Sequence, residues 1–227
     1  MLGYIAVAGP TGLVIAIAFR WKRGLYALGH AGVRLALTCA GVRFRVDGRQ
    51  HLPRTAVVFC SNHESNVDPA VLFEALHPQL HILYKAELHR FPIMGTVFDV
   101  GGFVPIDRGD RDKAMASITR GADALRAGHS FLIFPEGTRS RTGHLLPFKK
   151  GGFIMAIEAQ APIVPVAIQG GRAAMKKGSA FVRPVKVSVR MGTPIPTAGL
   201  TLDDRDALIE KVRSAVESLR QKGSLWD

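Results

Sequence analysis

The sequence places a histidine and an aspartate five residues apart, directly after an apolar run. Thr55 to Cys60 is apolar, and the chain continues as Asn62-His63-Glu64-Ser65-Asn66-Val67-Asp68-Pro69. On one continuous helix His63 and Asp68 would point about 140° apart, but a turn followed by a helix start can bring them together. A carboxylate that accepts the Nδ1 proton leaves Nε2 as the basic nitrogen. The spacing therefore indicates a His–Asp dyad that deprotonates a hydroxyl of the substrate.

Other interpretations of this block remain open. Asp68 could be a structural N-cap, since Pro69 suits the first position of a helix. Ser65 could be a nucleophile, although no Gly-x-Ser-x-Gly elbow surrounds it. A metal hydrolase built from His63, Glu64 and Asp68 would lack a second histidine at ligand spacing.

A second polar block, Phe134-Pro135-Glu136-Gly137-Thr138-Arg139-Ser140, also follows an apolar run. Its glycine permits a tight turn, and Thr138, Arg139 and Ser140 offer donors to an oxyanion. A polar surface turn is the alternative. Two shorter clusters at the ends of apolar runs hold Lys85 with Glu87 and Asp107 with Arg108, while Arg141, His144, Lys149 and Lys150 extend the positive charge. Because ligands bind at the carboxyl ends of strands in open α/β sheets, the four clusters predict one rim for phosphate and hydroxyl.

The elements that must position these residues alternate between strand and helix. Continuous apolar runs predict strands at 55–60, 81–84, 102–106, 130–134 and 163–168, and alternation over 185–191 predicts a half-exposed strand. Helical spacing relates Met115, Ile118, Ala122 and Leu125, and later Leu208, Val212, Ala215, Val216 and Leu219. The expected fold class is α/β, with a central mostly parallel or mixed sheet covered by helices.

Composition points to an anionic partner. The chain has 227 residues, 47% of them hydrophobic, with 30 basic and 18 acidic side chains and a net charge of +12. This balance excludes a disordered chain and favours nucleic acid, a phosphorylated metabolite or membrane headgroups as partner. Nucleic acid is disfavoured because no binding-module signature occurs. Cys39 and Cys60 are too few for a disulfide scaffold, and we expect both to be buried thiols.

The first 41 residues are expected to anchor the protein to a membrane. Met1 to Phe19 has no charged side chain, Arg20 to Arg23 follows with three cations, and Leu25 to Val42 is again apolar. Gly9 and Pro10 interrupt the first run, so surface docking is favoured over a full span. Trp21 and Tyr26 are candidate interfacial aromatics. A helical hairpin packed on the domain's own core is the alternative. We therefore divide the chain into an anchor, 1–41, and an α/β domain, 42–227.

Together the blocks resemble the lysophosphatidic acid acyltransferases, the 1-acylglycerol-3-phosphate O-acyltransferases of phospholipid synthesis. The resemblance covers residues ~55 to 170 and extends to the order and spacing of the motifs. They are Asn-His-x4-Asp at 62–68, Lys85-Ala86-Glu87-Leu88, Ile106-Asp107-Arg108, the 134–140 block and Ile163-Val164-Pro165-Val166. Pro105 departs from the aromatic or aliphatic residue more usual in the family. Because proline removes a backbone donor, its strand should end early or lie at an edge, which leaves the placement of Arg108 less certain.

The resemblance implies a glycerolipid acyltransferase fold with an N-terminal two-helix docking motif. It implies that an acyl group passes from coenzyme A or acyl carrier protein to the 2-hydroxyl of lysophosphatidic acid, without a metal or a permanently bound cofactor. His63 would be the general base and Asp68 its partner. Lys85, Arg108 and Arg139 would bind the phosphate, and Glu136, Gly137, Thr138 and Ser140 would form the acceptor loop.

The resemblance also implies an anionic membrane as partner and the cytoplasmic face of the inner (plasma) membrane as location, with no role for nucleic acid. A lyso-ornithine lipid, another lysophospholipid or glycerol 3-phosphate remains an alternative acceptor. A basic membrane-binding protein without catalysis is the alternative from another class. The choice of thioester donor and the acyl-chain length stay open.

Overall fold

A seven-stranded mixed sheet with the order β1-β7-β6-β2-β5-β3-β4 forms the centre of the protein in a computed structural model. The structure describes residues 7, 10–12, 14, 15, 18, 19, 21–76, 79–107, 111–140, 142–175 and 182–227. The strands are β1 (Val42–Asp47), β2 (Val58–Ser61), β3 (His81–Lys85), β4 (Val104–Ile106), β5 (Phe131–Ile133), β6 (Ile163–Gln169) and β7 (Val185–Met191). β6 and β7 pair antiparallel, and the other neighbours pair parallel. The expected α/β class with a mixed sheet is confirmed.

Helices cover both faces of this sheet. Within the described residues they are α1 (Lys22–Cys39), α2 (Asp68–Ala75), α3 (Pro92–Gly101), α4 (Arg111–Arg126), α5 (Gly151–Ala159) and α6 (Arg205–Gln221). Side chains of α4, α5 and α6 build one hydrophobic core, and those of α1 and α2 build the other. The central strands are buried on both faces, as their unbroken apolar runs predict.

The sequence interpretation missed β1. Val42, Phe44 and Val46 lie on one face of this strand, while Arg43, Arg45 and Asp47 are exposed. This is the period-two pattern of a half-buried strand, but its first residue, Val42, also ends the apolar run that begins at Leu25, which hides the start of the strand.

The edge strand β4 is confirmed where proline predicts it. Pro105 pairs with Tyr84 of β3, and β4 is the last strand of the sheet. The prediction for β7 is only partly correct, because Ser188 is buried rather than exposed. Its hydroxyl accepts a hydrogen bond from the Leu225 backbone (2.9 Å), since the C-terminal residues lie over this end of the sheet.

Helix α1 packs on the rest of the fold. Leu25, Tyr26 and Leu37 are buried, and the Tyr26 hydroxyl donates to the Gly101 carbonyl at 2.8 Å. The assignment of Tyr26 as an interfacial aromatic is therefore wrong, whereas Trp21 is exposed. No helix among the described residues is long and apolar enough to cross a bilayer. Most of Met1 to Phe19 lies outside the described residues, so the two-helix docking motif stays a prediction.

Of the two cysteines, Cys60 is buried and Cys39 is exposed. The expectation of two buried thiols is wrong for Cys39. It lies two residues after Leu37, which faces the core, and a step of two residues turns a helix by about 200°.

Candidate active site

The turn between β2 and α2 brings His63 and Asp68 together as predicted. His63 Nδ1 lies 2.9 Å from Asp68 Oδ2. The Asp68 side chain is fully buried and the His63 side chain is 16% exposed. A buried carboxylate beside Nδ1 fixes the tautomer that carries its proton on Nδ1. The imidazole is therefore oriented with Nε2 as its basic nitrogen.

Asp68 is the hub of this turn rather than a cap of its own helix. Oδ2 also accepts hydrogen bonds from the backbone of Glu64 (2.6 Å) and Ser65 (2.7 Å), both before α2. Asp68 is the first residue of α2, and Val67 occupies the N-cap position. The helix-cap interpretation is therefore wrong, because the carboxylate folds the preceding turn around the histidine.

The ring of His63 packs on Phe134, with the ring centroids 4.2 Å apart. Nε2 makes no hydrogen bond with any described residue, so it remains available to a substrate hydroxyl. Ser65, by contrast, is fully buried, which removes the support for a serine nucleophile. No group of three metal-ligating side chains occurs among the described residues.

The second block, 134–140, contacts the first directly. Glu136 is 3% exposed, and its carboxylate accepts from the backbone of His63 (2.8 Å) and of Leu146 (2.9 Å). The Ser140 backbone donates to the His63 carbonyl at 2.8 Å. Burial raises the pKa of Glu136, and the two backbone donors partly offset that rise. Glu136 thus connects the two blocks, and its part in an acceptor loop stays a prediction.

The remaining predicted loop residues differ in their surroundings. Gly137 has φ of 67°, the left-handed conformation that favours glycine. A Cβ at this position would lie 3.0 Å from Lys149 Nζ, so this lysine passes close over the loop. Thr138 is exposed, whereas the Ser140 hydroxyl donates within the loop to the His144 carbonyl at 2.7 Å.

Of the three predicted phosphate ligands, the structure describes the side chain of Arg139 only. Arg139 is half-buried and pairs with no carboxylate among the described residues. The Lys85 side chain and the whole of Arg108 lie outside the described residues. A three-residue phosphate clamp therefore stays a prediction.

Two residues that support the dyad were not identified from the sequence. Asn62 bonds both backbone groups of Ile168 in β6, donating at 2.9 Å and accepting at 2.8 Å. Gly171, just after β6, lies against Asp68, where a Cβ would be 2.6 Å from Oδ1. The position of Asn62 directly before His63 in the motif could have identified it, but nothing in the sequence indicates that it bonds to Ile168. Gly171 had no such signal, because its contact joins residues about a hundred positions apart.

Comparison with known proteins gives a consistent result. The sequence model of the family described as Acyltransferase matches residues 43–169, more than half of the chain. A 1-acyl-sn-glycerol-3-phosphate acyltransferase of Limnanthes douglasii is 30% identical over 206 residues, covering 88% of this chain and 73% of its own. The mouse 1-acyl-sn-glycerol-3-phosphate acyltransferase alpha is 35% identical over 181 residues, covering 78% of this chain and 63% of its own.

A solved structure shares the fold. The crystal structure of the 1-acyl-sn-glycerophosphate (LPA) acyltransferase PlsC of Thermotoga maritima superposes with a TM-score of 0.75 at 23% identity. The match covers 91% of this chain and 84% of that one.

Proposed function

The chain belongs to the acyltransferase family, and from that premise we propose that it acylates the 2-hydroxyl of lysophosphatidic acid to give phosphatidic acid. The donor is an acyl thioester of coenzyme A or acyl carrier protein. The observation that carries the proposal is the 2.9 Å contact between His63 Nδ1 and the buried Asp68 carboxylate. The acceptor follows the names of relatives at 30–35% identity.

The proposed chemistry begins with removal of the acceptor hydroxyl proton by His63 Nε2 while the hydroxyl oxygen attacks the thioester carbonyl carbon. The tetrahedral intermediate collapses by breaking the C–S bond. The imidazolium then donates this proton to the leaving thiolate. A neutral thiol is released, and the acceptor carries the new ester. Asp68 stabilises the transient imidazolium, and a positioned general base of this kind contributes about 10²- to 10⁴-fold.

The acceptor phosphate is proposed to lie beside the 134–140 block. Arg139 supports this because its guanidinium pairs with no carboxylate of the described chain and two of its N–H groups can grip a phosphate together. Lys149 adds positive charge over Gly137. Lys85 and Arg108 complete the proposed set, and Thr138 borders it.

The dyad is tested by His63→Ala and Asp68→Asn. Both variants should lose at least about 100-fold in kcat with lysophosphatidate and an acyl thioester. His51→Ala is the matched control, since its Nδ1 also lies near an acceptor, the Met191 carbonyl at 3.1 Å, but His51 follows the edge strand β1 and belongs to neither polar block. Near wild-type turnover by His63→Ala would exclude the general-base role.

The acceptor is tested with a panel of substrates. Lysophosphatidate should be preferred over a lyso-ornithine lipid, other lysophospholipids and glycerol 3-phosphate, each assayed with both thioester donors. Arg139→Ala should raise KM for lysophosphatidate far more than KM for the donor. Equal changes in the two KM values would argue against a phosphate role for Arg139.

Association with anionic membranes is part of the proposal, at the cytoplasmic face of the inner (plasma) membrane. Helix α1 supports it: Trp21 and Leu35 are 55% and 50% exposed, and the exposed Lys22 and Arg23 directly follow Trp21. Phe91, 60% exposed at the start of α3, is a further candidate apolar contact. Apolar side chains flanked by cations are typical of surfaces that dock on anionic lipid.

Membrane docking is best tested by point substitution, because deleting residues 1–41 would also remove Leu25, Tyr26 and Leu37 from the core. The double variant Trp21→Ser, Leu35→Ser should bind less to vesicles containing anionic phospholipid. Leu202→Ser is the control, since Leu202 is 46% exposed in the turn before α6. Equal sedimentation of the three proteins with vesicles would place the docking surface elsewhere.

A further inference from the structure

The C-terminal helix α6 ends at the loops that form the candidate site. Arg220, in its last turn, has a side chain that is 13% exposed. The Gln169 side chain donates to the Arg220 carbonyl at 2.8 Å, which ties this end of the helix to β6. A largely buried arginine is unusual and normally has several partners.

The guanidinium of Arg220 reaches three groups. Nη1 lies 2.6 Å from Glu217 Oε2, one turn earlier on the same helix. Nη2 donates to the Gly143 carbonyl, in the loop that follows the 134–140 block. Nη2 also lies 3.7 Å from Glu64 Oε1. Glu64 directly follows His63, so one side chain spans both loops of the site.

Glu64 is placed to transmit this contact to the dyad. Its side chain is 9% exposed, its backbone N–H donates to Asp68 Oδ2 at 2.6 Å, and its carboxylate accepts from Asn62 at 3.3 Å. The neighbouring loop has a second tether, because Arg172 donates to the Thr142 carbonyl at 2.7 Å. Arg172 does not pair with Glu64, whereas Arg220 contacts Glu64 in one loop and Gly143 in the other. Arg220 thus adds a side-chain link to the Ser140–His63 backbone bond and the Glu136 contact that already join the two loops.

We infer that Arg220 is a positioning residue for the proposed acyl transfer, holding the His63–Asp68 turn and the 140–144 loop together through Glu64 and Gly143. Arg220 does not contact the reacting atoms. It fixes the backbone from which the base projects, and small displacements of a base lower the rate of proton transfer far more than they weaken substrate binding. The inference rests on the proposed function, since it concerns the same dyad.

The ion pair depends on the charge of Glu64. Burial and the nearby Asp68 raise the pKa of Glu64 to about 7, and Arg220 and Arg172 oppose the rise. Glu136, facing it from the loop after β5, acts in the same direction as Asp68. Glu64 is therefore ionised, and paired with Arg220, mainly above about pH 7.

The first test compares Arg220→Gln with Arg220→Lys and with Arg213→Gln as the matched control. Arg213 lies on the same helix and makes only an i,i+3 pair with Glu210 at 4.0 Å. Arg220→Gln should lower kcat about 10- to 100-fold with both KM values within about twofold. Arg220→Lys should recover part of that loss, since an ammonium group keeps the charge but cannot reach all three partners. Arg213→Gln should match the wild type.

The second test uses Glu64→Gln, which imitates the protonated side chain. The ratio of wild-type to variant kcat/KM should be near one at about pH 6. It should increase as the pH passes about 7 and reach a constant value at higher pH. Because both proteins contain the same dyad, its own titration cancels in the ratio. A purely structural contribution would give a ratio that does not change with pH.

Three outcomes overturn the inference: an unchanged kcat in Arg220→Gln, a loss confined to KM, or a flat Glu64→Gln ratio. If Arg220→Gln does not fold, as shown by its thermal melt, Arg220→Lys and the Glu64→Gln ratio decide. Failure of the proposed function would look different, since the wild-type protein itself would then not acylate lysophosphatidate.

Discussion

The two oxygens of the Asp68 carboxylate have very different surroundings. Oδ2 accepts from His63 and two backbone N–H groups, whereas Oδ1 is buried, makes no hydrogen bond with the described residues and faces Gly171. Any group that pushes on Oδ1 will rotate the carboxylate and move Oδ2 relative to the imidazole. The absence of a side chain at position 171 is therefore a condition for the dyad.

Gly171→Ala should lower kcat by at least about 10-fold, because its Cβ would meet Asp68 Oδ1 at 2.6 Å. Gly171 does not have a positive φ, so the effect comes from contact and not from backbone strain. Gly29→Ala, whose Cβ would meet only Phe73 at 3.9 Å, should keep full activity and gain stability within α1. Steady-state kinetics and thermal melts check both; full activity of Gly171→Ala would contradict this account of Asp68.

Glu64→Gln should stabilise the protein at alkaline pH. Since the folded-state pKa of Glu64 is raised to about 7, folding holds a proton that the unfolded chain releases, and this group lowers stability as pH rises from about 4.5 to 7. The difference in Tm between Glu64→Gln and the wild type should therefore be small near about pH 5 and several degrees positive near about pH 8. Glu210→Gln is the control, because Glu210 is an exposed carboxylate on α6 and its loss measures the effect of removing one negative charge from the surface.

A Tm difference for Glu64→Gln that does not grow with pH would show that folding does not raise the pKa of Glu64. If it does grow, the carboxylate that follows His63 lowers stability at the pH at which it is ionised and paired with Arg220.

Helix α1 is a structural element of the domain as well as a candidate membrane surface. The Tyr26 hydroxyl crosses to the Gly101 carbonyl at the end of α3, and burial raises the pKa of this phenol well above its ordinary value. The ring also stacks on Phe73 of α2, with centroids 6.1 Å apart. One side chain thus joins three helices.

Tyr26→Phe should lower the free energy of unfolding by about 1 kcal/mol, because it leaves the buried Gly101 carbonyl without its donor while keeping the packing. In a chain of this length that corresponds to about 2 to 4 °C in Tm. Activity at 25 °C should not change. Chemical denaturation measures the difference, and an unchanged midpoint would show that the bond does not contribute to stability.

Elements with strong local patterns were predictable from sequence. The buried strands β2, β5 and β6 are continuous apolar runs, and α6 keeps Leu208, Val212, Val216 and Leu219 on its buried face as the spacing predicts. The dyad was predictable because both residues belong to one turn.

Long-range contacts of the site were not predictable. Gly171 lies against Asp68, and Arg220 lies against Glu64, only because β6 and α6 bring the chain back to the end of β2 where the dyad lies. The residue types do not predict either contact, since glycines and arginines are common throughout this chain. The burial of Ser188 likewise depends on where the C-terminal residues pack.

The whole molecule carries a net charge of +12. Such a charge attracts the protein to any anionic surface, and the attraction is screened over about 10 Å at 0.1 M salt and about 3 Å at 1 M. The exposed apolar side chains of α1 are expected to add a contribution to membrane binding that salt does not screen.

Binding to anionic vesicles should therefore weaken steeply between low salt and about 0.5 M salt without falling to zero. Binding to vesicles of neutral phospholipid should be weaker at low salt and nearly independent of salt. Co-sedimentation over a salt series measures both. Binding to anionic vesicles that does not depend on salt would show that charge has no part in docking.

The two edges of the sheet also bear on how the protein behaves at high concentration. An open edge strand presents unpaired backbone donors and acceptors on which another chain can add a strand. At one edge Pro105 has no N–H to offer, and at the other Arg43, Arg45 and Asp47 alternate along β1. Proline and charged side chains are the devices by which natural sheets resist edge-to-edge aggregation. Pro105 at one edge and the charged side chains of β1 at the other are therefore expected to disfavour strand addition by a second chain, a role separate from catalysis.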